Sequence, residues 1–408
     1  MNYSIIFNFC KLLICINFYI SSLTYIYDKY IILIKNILKK NSINFYKDAA
    51  DTKKALRKGK KYFQLCDDGI LKNYQYFSKN VEPLISIVIP VYNAEFKIKR
   101  AIRSIQNQNT SNLEIILVDD FSKDKTIDII RDLQIIDKRI ILLENKENKG
   151  IFYTRCIGTL NAKGKYVFPL DNDDLFFDEN ILDSIVNEAI KGDFDIVEFM
   201  YTEYYNFKKP PNKLISTEYG NHSHNLILNQ PELSQFPRKK NNTYGVYDSF
   251  LWAKCINLTI YKNCINQIGY KIYSKFILRG EDLIMTFVLF RFAKSFKFIA
   301  KYGIFRFKSR VTATFHSSRE MYLLSRIIYL NIIIKFTDKN YKDKMYVVYF
   351  SKKILPILNE EYNTLNKDNK KYLKIVLRML IKNRYIKDRY KKIFFSLCSN
   401  IPFEEYKK

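Results

Sequence analysis

Apolar positions in this chain fall into two periods that alternate. Leu84–Val91 (LISIVIPV) is a short β-branched run of the kind that fills a parallel strand buried on both faces. Residues 94–108 then carry Ile98, Ala101, Ile102 and Ile105 at helical spacing. Leu113–Asp119 (LEIILVD) predicts a second strand, followed by a helix with Ile127, Ile130 and Leu133. Ile140–Leu143 predicts a third strand, Gly150–Leu160 a helix and Tyr166–Leu170 (YVFPL) a fourth strand. A further helix starts near Asn180, and the very apolar LIMTFVLF stretch (Leu283–Phe290) predicts a buried one. Strands alternating with helices imply an α/β sheet with crossover helices, in which ligands bind at the carboxyl ends of the strands. Those ends read Tyr92-Asn93, Asp119-Asp120 and Asp171-Asn172-Asp173-Asp174, a polar and acidic edge.

The flanks differ. Leu12–Tyr27 is a charge-free run of sixteen residues. As a helix it would span roughly 24 Å against a hydrocarbon core of roughly 30 Å, and Lys11 can snorkel to close the gap. Residues 1–40 are therefore expected to be a membrane anchor, 41–83 a polar, Lys-rich spacer, 84–318 the catalytic domain and 319–408 a basic helical extension. Lys29, Lys35, Lys39 and Lys40 after the run favour a cytosolic domain. The sequons at Asn221, Asn241 and Asn257 point the other way, and the charge bias is given slightly more weight.

Composition changes this picture little. The 408 residues are 48% hydrophobic and 27% charged, which is globular. The net charge of +27 attracts phosphates and anionic lipid. The basic residues are dispersed and form no zinc-finger, RNA-recognition or basic-zipper pattern, so nucleic acid is not expected as a partner. Seven irregularly spaced cysteines without C-x-x-C indicate neither a disulfide framework nor a zinc site, although the separation of Cys255 and Cys264 does not forbid a bridge.

Candidate chemistry concentrates in the acidic edge. Asp171 and Asp173, at i and i+2 after a strand, point the same way and repel unless a cation lies between them. Mg²⁺ or Mn²⁺ would suit their oxygens and keep positions for substrate phosphates. Asp119 could accept a uracil imide N–H, while Asp120, Ser122 or Asp124 could cap the next helix. Arg155 suits diphosphate or ribose oxygens. Glu281 and Asp282 open the apolar helix, where a carboxylate serves as a cap or as a general base.

Five motifs, SIVIPVYN, VDDFSKDKT, the Asn148–Gly158 segment, AKGKYVFPLDNDD and RGEDL, occur in the order and spacing of the family 2 inverting glycosyltransferases, which the chain resembles over roughly residues 84–315. The resemblance implies a GT-A fold, a Rossmann-like mixed sheet flanked by helices, and a nucleotide-diphospho-sugar donor, UDP-linked by preference. It implies base contacts from Pro90, Tyr92, Asn93 and Asp119 and a nucleotide contact from Arg155. It further implies a Mn²⁺ or Mg²⁺ ion on Asp171 and Asp173, a donor pocket shaped by Asp174, and Asp282 as base with Glu281 beside it. The acceptor would be a glycan, lipid or protein hydroxyl. Two departures, Phe121 for the glycine usual in the D-D-G-S turn and Cys156-Ile157-Gly158 for Asn-x-Gly, leave a catalytically inactive sugar-nucleotide-binding relative as the alternative. A sugar nucleotidyltransferase is disfavoured because Pro90–Asn93 contains no glycine where that class has a Gly-rich loop.

Overall fold

The computed structural model describes residues 49–68, 82–205, 226–230, 239–240, 243–244, 250–273, 277, 280–308 and scattered positions between 325 and 336. The apolar run Leu12–Tyr27, the sequons at Asn221 and Asn241 and most of the basic tail lie outside the described residues. Among the described residues no helix is long and apolar enough to cross a membrane. Chain contacts divide the molecule into residues 1–55 and 56–408, and everything below concerns the second unit.

In chain order the elements are α1 (Ala49–Asp68), β1 (Ile85–Val91), α2 (Ile98–Gln106), β2 (Leu113–Asp119), α3 (Thr126–Ile136), β3 (Ile140–Glu144), α4 (Ile151–Asn161), β4 (Tyr166–Pro169), β5 (Leu175–Phe176) and α5 (Ile181–Lys191). There follow β6 (Ile196–Tyr204), β7 (Ile227–Asn229), β8 (Lys239–Lys240), β9 (Thr243–Tyr244), β10 (Lys254–Asn257), α6 (Leu258–Ile268), α7 (Tyr270–Tyr273), α8 (Glu281–Phe292) and β11 (Ser295–Phe307). The main sheet runs β3-β2-β1-β4-β10-β6-β11-β5, with β7 also on β11. β3, β2, β1 and β4 are parallel. β10 is antiparallel to both its neighbours, and β11 is again parallel to β6.

The predicted elements of the first half are present. β1 and β2 are buried along their whole length, as uninterrupted apolar runs require. α2 buries Ile98, Ala101, Ile102 and Ile105 on the face the spacing selects. α4 lies close on the sheet because Gly158 lets it: a Cβ there would stand 2.5 Å from Val88 Cγ1 and 3.0 Å from Val118 Cγ2. α8 is buried from Ile284 through Phe290, consistent with a helix apolar all round.

Three features were not legible as such. From Leu56 onward, α1 lies in the stretch expected to be a spacer, yet Tyr62, Phe63 and Cys66 are buried in the core. The Tyr62 hydroxyl donates to the Ser104 carbonyl at 2.6 Å. The centre of the sheet carries a buried ion pair, Lys254 Nζ to Glu198 Oε2 at 3.0 Å, between cross-strand neighbours. Cys66, Cys156, Cys255 and Cys264 are all free and buried, so Cys255 and Cys264 form no bridge.

Candidate active site

The parallel strands deliver the acidic edge to one end of the sheet. Asp119 closes β2 and is 1% exposed. Its Oδ2 accepts the Ser122 N–H at 2.9 Å, whereas its buried Oδ1 has no hydrogen-bond partner. Its neighbour Asp120 has the opposite fate. The Asp120 carboxylate accepts the Asn145 side-chain amide, the Lys149 N–H and the Gly150 N–H, each at 2.8 Å. Asp120 thus holds the 145–150 loop that starts α4 and caps no helix through the turn that follows it.

At the end of β1, Pro90 is buried in the strand and its carbonyl accepts the Asn172 side-chain amide at 3.1 Å. Tyr92 is 48% exposed. Asn93, with φ 45°, ties β1 to the β2 turn: its N–H donates to Ser122 Oγ and its Oδ1 accepts the Lys123 N–H. These residues therefore share one rim with Asp119.

Beyond β4 the carboxylates divide in the same way. Asp171 and Asp173 keep part of their side chains exposed, while Asp174 is buried and accepts the Phe307 N–H at 2.8 Å. Burial pushes the Asp174 carboxyl well above the ordinary aspartate range, and the nearby Asp173 and Asp171 charges push it further. Burial also raises Asp173, with Lys97 opposing and Asp171 adding to the rise. Lys97 Nζ stands 3.4 Å from Asp173 Oδ2, and the Tyr204 hydroxyl donates to the Asp173 carbonyl at 2.7 Å. Neither partner had been singled out in the sequence, where Lys97 is one of many lysines and Tyr204 lies far along the chain.

Arg155 is the hub. Its guanidinium is 2% exposed and reaches Asp171 Oδ1 at 2.7 Å, Asp282 Oδ1 at 2.7 Å and Glu281 Oε1 at 3.3 Å. Burial disfavours the arginine charge, but Asp282, Asp171 and Glu281 outweigh it and hold the group protonated. Asp282 is raised well above its usual range by burial, with Arg155 opposing and Glu281 and Asp171 adding to the rise. Glu281 is raised for the same reasons. The N-cap of α8 is Gly280, in the left-handed conformation with φ 78°, and no side chain caps this helix. Asp282 is therefore used for ion pairing and not as a cap, and Glu281 shares its partner.

The donor set suits a hard cation. Asp171 and Asp173 are partly exposed carboxylates two residues apart, each facing one side-chain cation, Arg155 and Lys97, that a divalent ion would displace or share. Among the described residues no three His, Cys, Asp or Glu side chains gather as a ready cage. A pair instead leaves coordination positions for substrate oxygens, as Mg²⁺ sites commonly do. Cys156, next to Arg155 in α4, is buried, and that burial pushes its thiol up. Trp252 is buried against Phe250 and Tyr201, with the Arg306 guanidinium over Phe250 and Trp252. The sequon asparagine Asn257 spends its side chain on capping α6, accepting from Thr259 N and Ile260 N.

The model of the family described as glycosyl transferase family 2 matches residues 86–252. An uncharacterized glycosyltransferase of Haemophilus influenzae is 43% identical over 99 residues, 24% of this chain and 40% of that protein. The Escherichia coli UDP-Glc:alpha-D-GlcNAc-diphosphoundecaprenol beta-1,3-glucosyltransferase WfaP is 36% identical over 122 residues, 30% of this chain and 46% of its own length. The chain thus spans less than half the length of these relatives. The crystal structure of S. aureus TarS 1-349 in complex with UDP superposes with a TM-score of 0.50 at 14% identity, over 77% of this chain and 87% of that one. That likeness gives the architecture as GT-A. On motif order and family match together, residues 86–252 carry a family 2 glycosyltransferase domain.

Proposed function

We propose that the chain transfers a sugar from a UDP-sugar to an acceptor hydroxyl with inversion, aided by Mn²⁺ or Mg²⁺ on Asp171 and Asp173, with Asp282 as the general base. One observation carries this reading: a single buried guanidinium, Arg155, joins Asp171 to Asp282. The candidate cation site and the candidate base are thereby held within one side chain of each other. A single displacement needs that proximity, because the leaving diphosphate and the attacking hydroxyl meet at one carbon.

The remaining residues take supporting roles. The unpaired Asp119 oxygen suits the imide N–H of uracil, a charge-assisted bond. Pro90, Tyr92 and Asn93 border the same rim, and Asp174, fixed to Phe307, sets the floor of the acidic turn. For Arg155 to touch the nucleotide it would exchange one carboxylate for a phosphate or ribose oxygen. When bound, the cation would act as a Lewis acid on the leaving diphosphate. Asp282 sits at a helix start, which favours its charge and weakens it as a base. Burial works against that and lifts its proton affinity, which suits a group that must take a hydroxyl proton near neutral pH. A relative named for UDP-Glc and a structural neighbour solved with UDP support the uridine donor. That relative's diphosphoundecaprenol-linked acceptor supports an acceptor carried at a membrane, in keeping with the N-terminal apolar run and a cytosolic domain.

The test is a panel of UDP-sugars, UDP-glucose and UDP-N-acetylglucosamine first, read by thermal stabilisation and UDP release with Mn²⁺ and with chelator. Donor binding raises the melting temperature by mass action. Turnover is expected with Mn²⁺ and none in chelator. Asp282→Asn should hold UDP affinity within a few-fold and lose transfer by about 10²–10⁴. Binding without turnover in the wild type would instead make this a non-catalytic relative, and full activity in chelator would refute the metal assignment.

A further inference from the structure

Phe121 holds a backbone conformation that a side chain makes costly. Its φ is 70°, in the left-handed region where Cβ crowds the following carbonyl and which glycine, asparagine and aspartate enter most readily. Burial does not compensate, because the ring is 39% exposed. Strain of this sort persists where the surroundings over-determine it, commonly at ligand sites.

The surroundings here are a pinned turn beside an unsatisfied acceptor. Asp119, two residues earlier, keeps its buried Oδ1 unpaired. Asn93 accepts the Lys123 N–H at 2.8 Å and donates to Ser122 Oγ at 2.9 Å, so the turn is fastened to the end of β1 and to exposed Tyr92. The Lys123 ammonium lies 3.2 Å from the centre of the Phe121 ring, a cation–π contact on one face. An aromatic ring, a cation on it and a free buried carboxylate oxygen thus share one rigid corner.

We propose that Phe121, backed by Lys123, is a wall of the nucleoside pocket and packs on the base whose N–H the free Asp119 oxygen accepts. This rests on the uridine-donor reading and adds to it a base-binding residue at a position where related turns carry glycine. A ring with one face covered by the ammonium has its other face to offer, and every base has a π-face to stack on it. The strained φ is then tolerated because it aims the ring at the ligand.

Calorimetric titration of the full chain with UDP and with pyrophosphate, in Mn²⁺, tests this on wild type, Phe121→Gly and Phe121→Asn, alongside melting curves. Both substitutions relieve the φ strain, so both variants are expected to melt at or above the wild-type temperature. Both should nonetheless bind UDP about tenfold more weakly, within the range lost when a stacking side chain is truncated. Pyrophosphate, which lacks the base, should bind all three alike. Unchanged UDP affinity in the variants would overturn the inference and leave the uridine-donor reading standing. Equal losses of UDP and pyrophosphate would also overturn it, because the ring would then not act on the base. A fall in both melting temperatures would remove the strain argument. Wild type that binds no UDP would sink the reading beneath, and this inference with it.

Discussion

Replacing Arg155 with methionine tests whether the three carboxylates around it depend on that one cation. Methionine roughly keeps the volume and removes the charge. Asp171, Asp282 and Glu281 would then face each other without their shared cation, Asp171 and Asp282 losing contacts of 2.7 Å. Removing one partner of a fully buried pair costs about 3–5 kcal/mol. These carboxylates keep some access to water, which screens them, so we reduce the figure to about 2–3 kcal/mol. Urea unfolding in chelator at neutral pH would read this as a lowered midpoint with an unchanged slope. Two further outcomes separate charge from packing. Acidification should shrink the loss, because protonating the carboxylates removes the repulsion. Mn²⁺ should stabilise the variant more than the wild type, because it replaces the missing cation at Asp171. A loss below about 0.5 kcal/mol, or one indifferent to both pH and Mn²⁺, would refute the idea that Arg155 holds the site together electrostatically.

Two other perturbations probe the scaffold. Gly158→Ala drives a methyl to 2.5 Å from Val88 Cγ1 and should cost about 1–3 kcal/mol, and adding Val88→Ala should recover part of that loss; additive losses would refute the close-packing account. Asp137 accepts from Arg139 at 2.7 and 2.9 Å and from Gln106 at 3.2 Å. Burial opposes its charge, but the Arg139 hydrogen bonds and charge win and hold its carboxyl below the ordinary 3.8. Because the folded value is the lower one, its contribution is present above 3.8 and is lost as pH falls through the folded value. The melting temperature of Asp137→Asn should therefore lie below that of the wild type at pH 7, and the gap should close below about pH 4; a gap constant with pH would contradict this.

Legibility followed local chemistry. β1, β2 and β4 could be read because strands buried on both faces need unbroken apolar runs, and α8 because it is apolar all round. β10 could not: Lys254 at its start looks like surface, and its burial is tolerable because its ammonium meets the facing Glu198 and the Phe250 carbonyl. α1 was hidden by lysines around Tyr62 and Phe63, whose burial depends on partners such as Ser104 and Tyr204 far along the chain. The candidate site residues could be picked out one by one from their motifs. Their mutual arrangement was not, because Arg155 and Asp282 are 127 residues apart and no local pattern encodes that contact. Placing Glu281 on Arg155 beside Asp282 also makes the donor and base sides less independent than motif spacing implied.

The same geometry separates two kinds of carboxylate that read identically in the sequence. Asp119 and Asp120 are consecutive, yet Asp120 is saturated by three donors from the 145–150 loop while Asp119 retains a buried oxygen with none. Asp174 likewise gives an oxygen to the Phe307 backbone, whereas Asp171 and Asp173 keep exposed surface and, among the described residues, pair with the side-chain cations Arg155 and Lys97. A carboxylate bonded to backbone N–H groups is committed, since withdrawing it would strand those buried donors at about 1–3 kcal/mol each. A carboxylate held by a side-chain cation can exchange that partner for another cation or for a ligand donor. Asp171, Asp173 and Asp282 belong to the exchangeable class and Asp120 and Asp174 to the committed one, while Asp119 is divided, with one oxygen on the Ser122 N–H and the other unpaired. On the proposed reading, chemistry at this site would fall to the exchangeable carboxylates, on a frame the committed ones hold.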